Sequence, residues 1–132
     1  MSGGSPTNGF LGHVAVGPFE SLFHSWAGTA WADLAFMAGL AAVGVAVILG
    51  VALRVSAIAG GTMMLLMWIA EWPLARFTSA GEAAGSSNPL IDYHIIYALT
   101  LVVLALLAAG NTWGLGRRWA AMPVVRDHRW LR

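Results

Sequence analysis

Residues 86–109 read SSNPLIDYHIIYALTLVVLALLAA, a long apolar run behind a short polar segment. An α-helix rises about 1.5 Å per residue, so roughly 20 apolar residues cross the ~30 Å hydrocarbon core of a bilayer. Asn88 is suited to cap a helix, with Pro89 at the first helical position. Asp92 would then lie in the first turn, near the positive end of the helix dipole. The pattern predicts a membrane-spanning helix over residues 89–109.

The composition of the 132-residue chain is that of an integral membrane protein. Hydrophobic residues make up 58% of it and charged residues 10%, whereas soluble domains are about 25% charged. Residues 33–53 and 57–72 are two further apolar segments, and the short turn between them predicts an antiparallel helical hairpin. We therefore expect an all-α membrane bundle in which residues 1–132 form a single domain with three transmembrane helices.

The remaining segments predict loops and a tail. Residues 1–30 are expected to form an outer loop, in which the apolar spacing over residues 18–26 favours a short helix in the membrane interface over a collapsed loop. Residues 73–88 predict a second outer loop. Residues 110–132 form a basic tail with interleaved tryptophans, which suits an anionic lipid surface and not nucleic acid.

The arginines predict the orientation in the membrane, because cytoplasmic segments carry an excess of positive charge. All seven basic residues are arginines, and Arg76 alone falls on one predicted side. The other side holds Arg54, Arg117, Arg118, Arg126, Arg129 and Arg132. We expect a multi-pass protein with its N-terminus outside and its C-terminus in the cytoplasm.

Ionisable side chains gather where the second and third predicted spans meet the outer surface. Such residues are rare at that depth and indicate function. Quinone reduction takes up two protons with two electrons, so it needs a histidine or carboxylate beside an apolar slot. We therefore predict Glu71 and His94 as catalytic residues that exchange protons with a quinone. The side chains predicted to bind the quinone headgroup are Met67, Trp68, Trp72, Tyr93 and Tyr97.

A structural interpretation stays open for the same residues. Asp92 would act only as a helix cap, and Glu71 would pair with Arg76. His94 would donate a hydrogen bond to a loop carbonyl. Methionine and aromatic side chains most often pack between helices or anchor them at the membrane surface.

Other cofactors are not expected in this chain. It contains no cysteine, which excludes iron–sulfur ligation and covalently attached haem within it. A haem held by two histidines would need a second membrane-facing histidine besides His94. A metal ion is not expected either, because positions 92 and 94 of one helix point roughly 200° apart.

Three segments carry a resemblance to a known family. They read PFESLFHSWAG (18–28), MWIAEWPLARFTSAGE (67–82) and SNPLIDYHIIYALTLVVLALLAAGNTWGLGRRW (87–119). In these segments the chain resembles the DoxX family of bacterial plasma-membrane proteins, including its DoxD-like members. The resemblance implies a four-helix membrane bundle associated with thiosulfate:quinone oxidoreductase or with complexes that handle oxidative stress. Family members carry a further spanning helix before the segment that corresponds to residues 1–28.

Two functions of different class follow. The first is a membrane subunit of a quinone-linked oxidoreductase complex, with redox subunits as partners. The second is a non-catalytic membrane scaffold that recruits a partner enzyme. In the first span, small residues recur at every fourth position, at Ala38, Ala42, Ala46 and Gly50. Such a stripe allows close approach of another helix, so a partner subunit or a second copy is expected to supply it.

Overall fold

The computed structural model describes residues 4–75, 77, 81–83 and 91–131. The secondary structure of these residues is helical, apart from an isolated β-bridge between Phe77 and Ala83. The prediction of an all-α fold is confirmed for this part of the chain. The helices are α1 (Pro6–Leu11), α2 (Glu20–Trp26), α3 (Ala30–Leu49), α4 (Leu53–Glu71), α5 (Tyr93–Leu106), α6 (Gly110–Trp113), α7 (Gly116–Ala121) and α8 (Pro123–Asp127), followed by a 3₁₀ turn at Arg129–Leu131.

Helices α3 and α4 are long and apolar enough to cross a membrane. They have 20 and 19 residues, with mean hydropathies of 2.2 and 1.6 over their most apolar windows. Only 6% of that window is buried in α3 and 28% in α4. The core helix of a soluble protein buries its apolar face against its own chain. The exposed apolar surface of α3 instead calls for lipid or another chain.

The first span ends earlier in the structure than the predicted range of 33–53. Gly50 adopts a φ of 67°, which is accessible to glycine without a steric penalty. The N–H of Val51 then donates to the carbonyl of Ala46 at 2.9 Å, and the N–H of Gly50 donates to Val47 at 3.1 Å. These two hydrogen bonds form a Schellman motif, which terminates the helix at Leu49. The second span begins at Leu53, four residues before its predicted start.

The third apolar helix is also shorter than predicted. The sequence predicts a helix over 89–109, whereas α5 covers Tyr93–Leu106, a length of 14 residues or about 21 Å. Asp92 lies just before the helix, and its Oδ1 accepts a hydrogen bond from the N–H of Ile95 at 3.2 Å. Asp92 is therefore the N-cap of α5. The predicted cap and first residue, Asn88 and Pro89, lie outside the described residues.

At its other end, α5 finishes in a second Schellman motif. Ala108 has a φ of 48°. The N–H of Ala109 donates to Leu104 at 3.1 Å, and the N–H of Ala108 donates to Ala105 at 3.2 Å. A left-handed alanine costs more than a left-handed glycine, so an apolar pattern does not reveal this ending. The helix is too short by itself to span the ~30 Å of hydrocarbon.

The chain divides into two compact units. The first unit comprises Met1–Ala38 and Leu65–Ile95, and the second comprises Gly39–Met64 and Ile96–Arg132. In the first unit, α2 turns Phe23 inward to pack with Ala15 and Ala70. The surrounding apolar side chains are Phe10, Leu11, Trp26 and Ile69.

The N-terminal segment of the first unit contains α1 in addition to α2, which lies in the range 18–26 where the sequence predicts a short helix. Asp33 Oδ1 accepts hydrogen bonds from Ser5 Oγ at 2.9 Å, Thr7 Oγ1 at 2.7 Å and the Thr7 N–H at 3.0 Å. Thr7 Oγ1 in turn accepts a hydrogen bond from the N–H of Gly28 at 3.1 Å. This network ties α1 to the start of α3.

In the second unit, the backbone at Gly50 packs directly against the backbone at Gly110. A Cβ placed on Gly50 or Gly110 would clash with the backbone of the other residue. The C-terminal residues fold back as short helices, with Val125 buried. Trp119 Nε1 donates to the carbonyl of Leu131 at 2.7 Å, and Arg54 Nη1 donates to the carbonyl of Arg129 at 3.0 Å. The predicted basic tail is therefore a small folded substructure.

Candidate functional site

Three ionisable side chains converge in the first unit. Glu71 is the last residue of α4, which stops there because Trp72 takes a φ of 26° before Pro73. Asp92 is the N-cap of α5, and His94 lies in the first turn of that helix. His94 is fully buried, whereas the side chains of Glu71 and Asp92 retain 18% and 10% exposure. Two helix ends thus build a half-buried polar cluster.

Both carboxylates face the same nitrogen of His94. Asp92 Oδ2 lies 2.8 Å from His94 Nδ1, and Glu71 Oε2 lies 3.9 Å from it. Tyr93 Oη donates a hydrogen bond to the other oxygen of Glu71, Oε1, at 3.0 Å. Each carboxylate therefore uses one oxygen to hold the local structure and directs its second oxygen at Nδ1.

The charge of this cluster is unbalanced within the described part of the chain. Among the described residues, Glu71 and Asp92 each pair with His94. Arg76, the predicted partner of Glu71, lies outside the described residues. Two carboxylates beside one imidazole leave a net negative charge whether or not the imidazole is protonated. A partly buried site with this charge favours binding of a cation.

The second ring nitrogen of His94 has a different environment. Nε2 is buried and has no hydrogen-bond partner among the described residues, and Trp68 Nε1 shares this condition. The rings of Tyr93 and Phe10 lie against the imidazole, with centroids at 4.1 Å and 6.5 Å. An unpaired buried polar group costs about 1–3 kcal/mol. A polar ligand that reached these nitrogens would recover part of that cost.

The predicted headgroup residues divide between the two units. Tyr97 lines an apolar groove of about 430 Å³ in the second unit, together with Val43, Met63 and Leu101. This volume is typical of small-molecule sites. The other four, Met67, Trp68, Trp72 and Tyr93, belong to the first unit. The groove is not lined by His94 or Glu71, so it differs from the predicted slot that ends at those side chains.

In the first unit, the two predicted tryptophans are neighbours. The rings of Trp68 and Trp72 have centroids 6.4 Å apart and planes inclined by 57°. The indole of Trp72 also packs against Gly17, where a Cβ would overlap it. One face of the Trp72 indole is therefore covered by Gly17.

The reason for expecting no metal ion is wrong. It placed residues 92 and 94 in one helix with diverging side chains, but Asp92 precedes the helix and turns back towards His94. One ligating atom each from Glu71, Asp92 and His94 lies within 4.8 Å of the other two. The sequence did contain a signal, since Asp92 immediately before an apolar run is a second possible N-cap besides Asn88.

These features define a class: a chain that is helical over its described residues, with two helices there able to span a membrane and a partly buried carboxylate–histidine cluster. No protein-family model, curated protein or solved structure matches the chain. The resemblance to the DoxX family therefore stays a prediction.

Proposed function

We propose that the chain is a membrane subunit of a quinone-linked oxidoreductase complex, in which His94 and Glu71 exchange protons with a quinone. The observation that carries the proposal is the environment of His94. Its ring is fully buried, its Nδ1 lies 2.8 Å from Asp92, and its Nε2 has no partner among the described residues. A histidine oriented on one edge and unpaired on the other is suited to proton transfer with a ligand.

The chemistry follows from the two nitrogens. When Nδ1 carries a proton and donates a hydrogen bond to Asp92, Nε2 is an acceptor and takes one of the two protons that a quinol loses. The resulting imidazolium lies beside the carboxylate of Asp92, which stabilises its charge, and the carboxylate of Glu71 takes the second proton. Quinone reduction uses the same steps in reverse. The two electrons pass to or from a redox centre in a partner subunit.

The headgroup would meet aromatic side chains in the first unit. Trp68 Nε1–H is an unpaired donor, besides the unpaired Nε2 of His94, and it would bind a quinone carbonyl oxygen. Because Nε2 of His94 is buried, the headgroup reaches it only when the surrounding packing opens. Phe10, which touches the imidazole edge-on, belongs to the short helix α1 and is the side chain we expect to move.

The membrane assignment rests on α3 and α4. Their exposed apolar surfaces fit the interior of a bilayer, and we propose that α5 and the residues after it complete a third span. The positive-inside rule then places the C-terminus in the cytoplasm and the N-terminus outside. By the DoxX resemblance, the membrane is a bacterial plasma membrane.

A scaffold that recruits a partner enzyme is the second candidate function. The small-residue stripe of α3 favours it, because Ala38 and Ala42 are exposed while Gly50 at the helix end packs against Gly110. A helix of another subunit, or of a second copy, would cover this stripe closely. A scaffold needs no quinone.

The test is purification of the full chain in mild detergent, followed by mass spectrometry of the quinone and polypeptides that co-purify. We expect the wild-type protein to retain quinone, and His94→Ala and Glu71→Gln to lose most of it. His24→Ala and Glu20→Gln are matched controls on α2 and should retain it. If the wild-type protein and all four variants bind a partner stably and none of them retains quinone, the redox proposal is refuted and the scaffold is favoured.

A further inference from the structure

We propose that Glu71, Asp92 and His94 bind one divalent transition-metal ion. The ligating atoms are Glu71 Oε2, Asp92 Oδ2 and His94 Nδ1. This site uses the nitrogen of His94 that faces the carboxylates, whereas the quinone proposal uses Nε2 on the other edge of the ring. A metal ion on Nδ1 puts the imidazole proton on Nε2, so the metal-bound chain does not use Nε2 as a proton acceptor. The two proposals therefore describe different states of the cluster, and their tests have separate readouts.

The spacing of these atoms fits a common metal ion. Zinc–nitrogen and zinc–oxygen bonds of about 2.0–2.2 Å separate neighbouring ligands by about 3.0–3.5 Å in octahedral or tetrahedral geometry. Asp92 Oδ2 and Glu71 Oε2 lie 2.8 Å and 3.9 Å from His94 Nδ1, on either side of that range. One ligating atom from each of the three residues lies within 4.8 Å of the other two, so side-chain rotations that bring the two oxygens closer together would seat an ion between the three atoms.

The ligands are oriented in the way that metal sites require. Hydrogen bonds to the non-ligating oxygens fix a carboxylate and aim its free oxygen. Tyr93 Oη does this for Glu71 at 3.0 Å, and the N–H of Ile95 does it for Asp92 at 3.2 Å. The imidazole is fixed by complete burial. A group of acidic side chains on an open surface lacks these restraints, which is why this cluster indicates a site.

The donor set selects the class of ion. Two carboxylates and a neutral imidazole present a charge of about −2, which a divalent cation neutralises. Imidazole nitrogen suits zinc and the neighbouring first-row metals, whereas Mg²⁺ and Ca²⁺ prefer all-oxygen sites. Three protein ligands also leave a coordination position for water, as in catalytic zinc sites. Zn²⁺ is the appropriate probe.

The direct experiment is equilibrium dialysis of the untagged full chain in detergent against Zn²⁺, with the metal content measured. We expect one Zn²⁺ per chain, resistant to millimolar Mg²⁺. His94→Ala, Asp92→Asn and Glu71→Gln should each weaken binding at least about 10-fold, since even the loss of a supporting hydrogen bond has that effect. His24→Ala and Glu20→Gln should bind like wild type.

A measurement on the wild-type protein covers the case in which these variants fold poorly. X-ray absorption of the Zn²⁺-loaded chain should show one imidazole nitrogen and oxygen ligands at about 2.0–2.2 Å. Tyr93→Phe keeps all three ligands, so it should keep the stoichiometry with a lower affinity. A wild-type chain without Zn²⁺, or a bound ion without imidazole, would overturn the proposal. Zn²⁺ binding without quinone retention would leave the metal site intact and refute only the proposed function.

Discussion

Asp92 has two structural roles in the candidate site: it caps α5 and it forms a hydrogen bond with His94. Each role uses a different carboxylate oxygen, so substitutions can separate their contributions to stability. Oδ1 caps α5 through the N–H of Ile95 at 3.2 Å, and Oδ2 lies 2.8 Å from His94 Nδ1. Loss of an N-cap costs about 1 kcal/mol, and loss of a charged hydrogen bond costs about 1.5–3 kcal/mol. Asp92→Ala should therefore lower the free energy of unfolding by about 3 kcal/mol.

Asp92→Asn should be milder. Asparagine caps a helix as well as aspartate does, but its single oxygen stays on the N–H of Ile95 and its NH₂ group replaces Oδ2 opposite His94 Nδ1. The cap is kept and the charged hydrogen bond is lost, so we expect a decrease of about 2 kcal/mol. The assay is unfolding in mild detergent with increasing sodium dodecyl sulfate, followed by circular dichroism and tryptophan fluorescence.

The control for both variants is Asp127→Ala. Asp127 pairs with Arg126 at 3.7 Å, but their side chains are 65% and 68% exposed. An exposed ion pair contributes little, so we expect a decrease below about 0.5 kcal/mol. Equal losses for Asp92→Ala and Asp92→Asn would refute the capping assignment. An alanine variant as stable as wild type would refute both roles of Asp92.

Three further predictions concern the packing around the site and the helix ends. Gly50→Ala should destabilise the chain by about 1–3 kcal/mol, because φ is 67° and a Cβ would meet backbone atoms; Gly61→Ala, with open space around its Cβ in α4, should be neutral or stabilising. Thr7→Val removes the hydroxyl that ties α1 to α3, so limited proteolysis should cut the N-terminal segment faster. Phe10→Ala should raise the reactivity of His94 with diethylpyrocarbonate, because the ring that packs edge-on against the buried imidazole is removed.

For each of these predictions, a specific result would contradict the reasoning. Equal effects of the two glycine substitutions would show that the left-handed helix end is unimportant. An unchanged cleavage rate in Thr7→Val would mean that α1 is held by its apolar contacts and not by the hydroxyl. His94 that stays unreactive in Phe10→Ala, while exposed His24 reacts normally, would place the access path elsewhere.

The sequence by itself determined the helical class and the position of the main apolar segments. Their length and composition are local properties, and α3 and α4 lie largely within the predicted ranges of 33–53 and 57–72. The end of α4 beside Pro73 is local as well, because proline restricts the residue before it. The ionisable residue types of the site were also visible in the sequence.

Only the tertiary structure decided where the helices end and which side chains meet. The structure assigns the cap of α5 to Asp92 and its left-handed end to Ala108, and neither choice follows from local propensity, because asparagine and aspartate cap equally well and alanine disfavours the left-handed region. Glu71 and His94 are separated by 23 positions in the chain, and their approach to 3.9 Å comes from the packing of the ends of α4 and α5. In one continuous helix, the side chains of Asp92 and His94 would point apart. Because Asp92 lies one residue before the helix, its carboxylate faces the imidazole of His94.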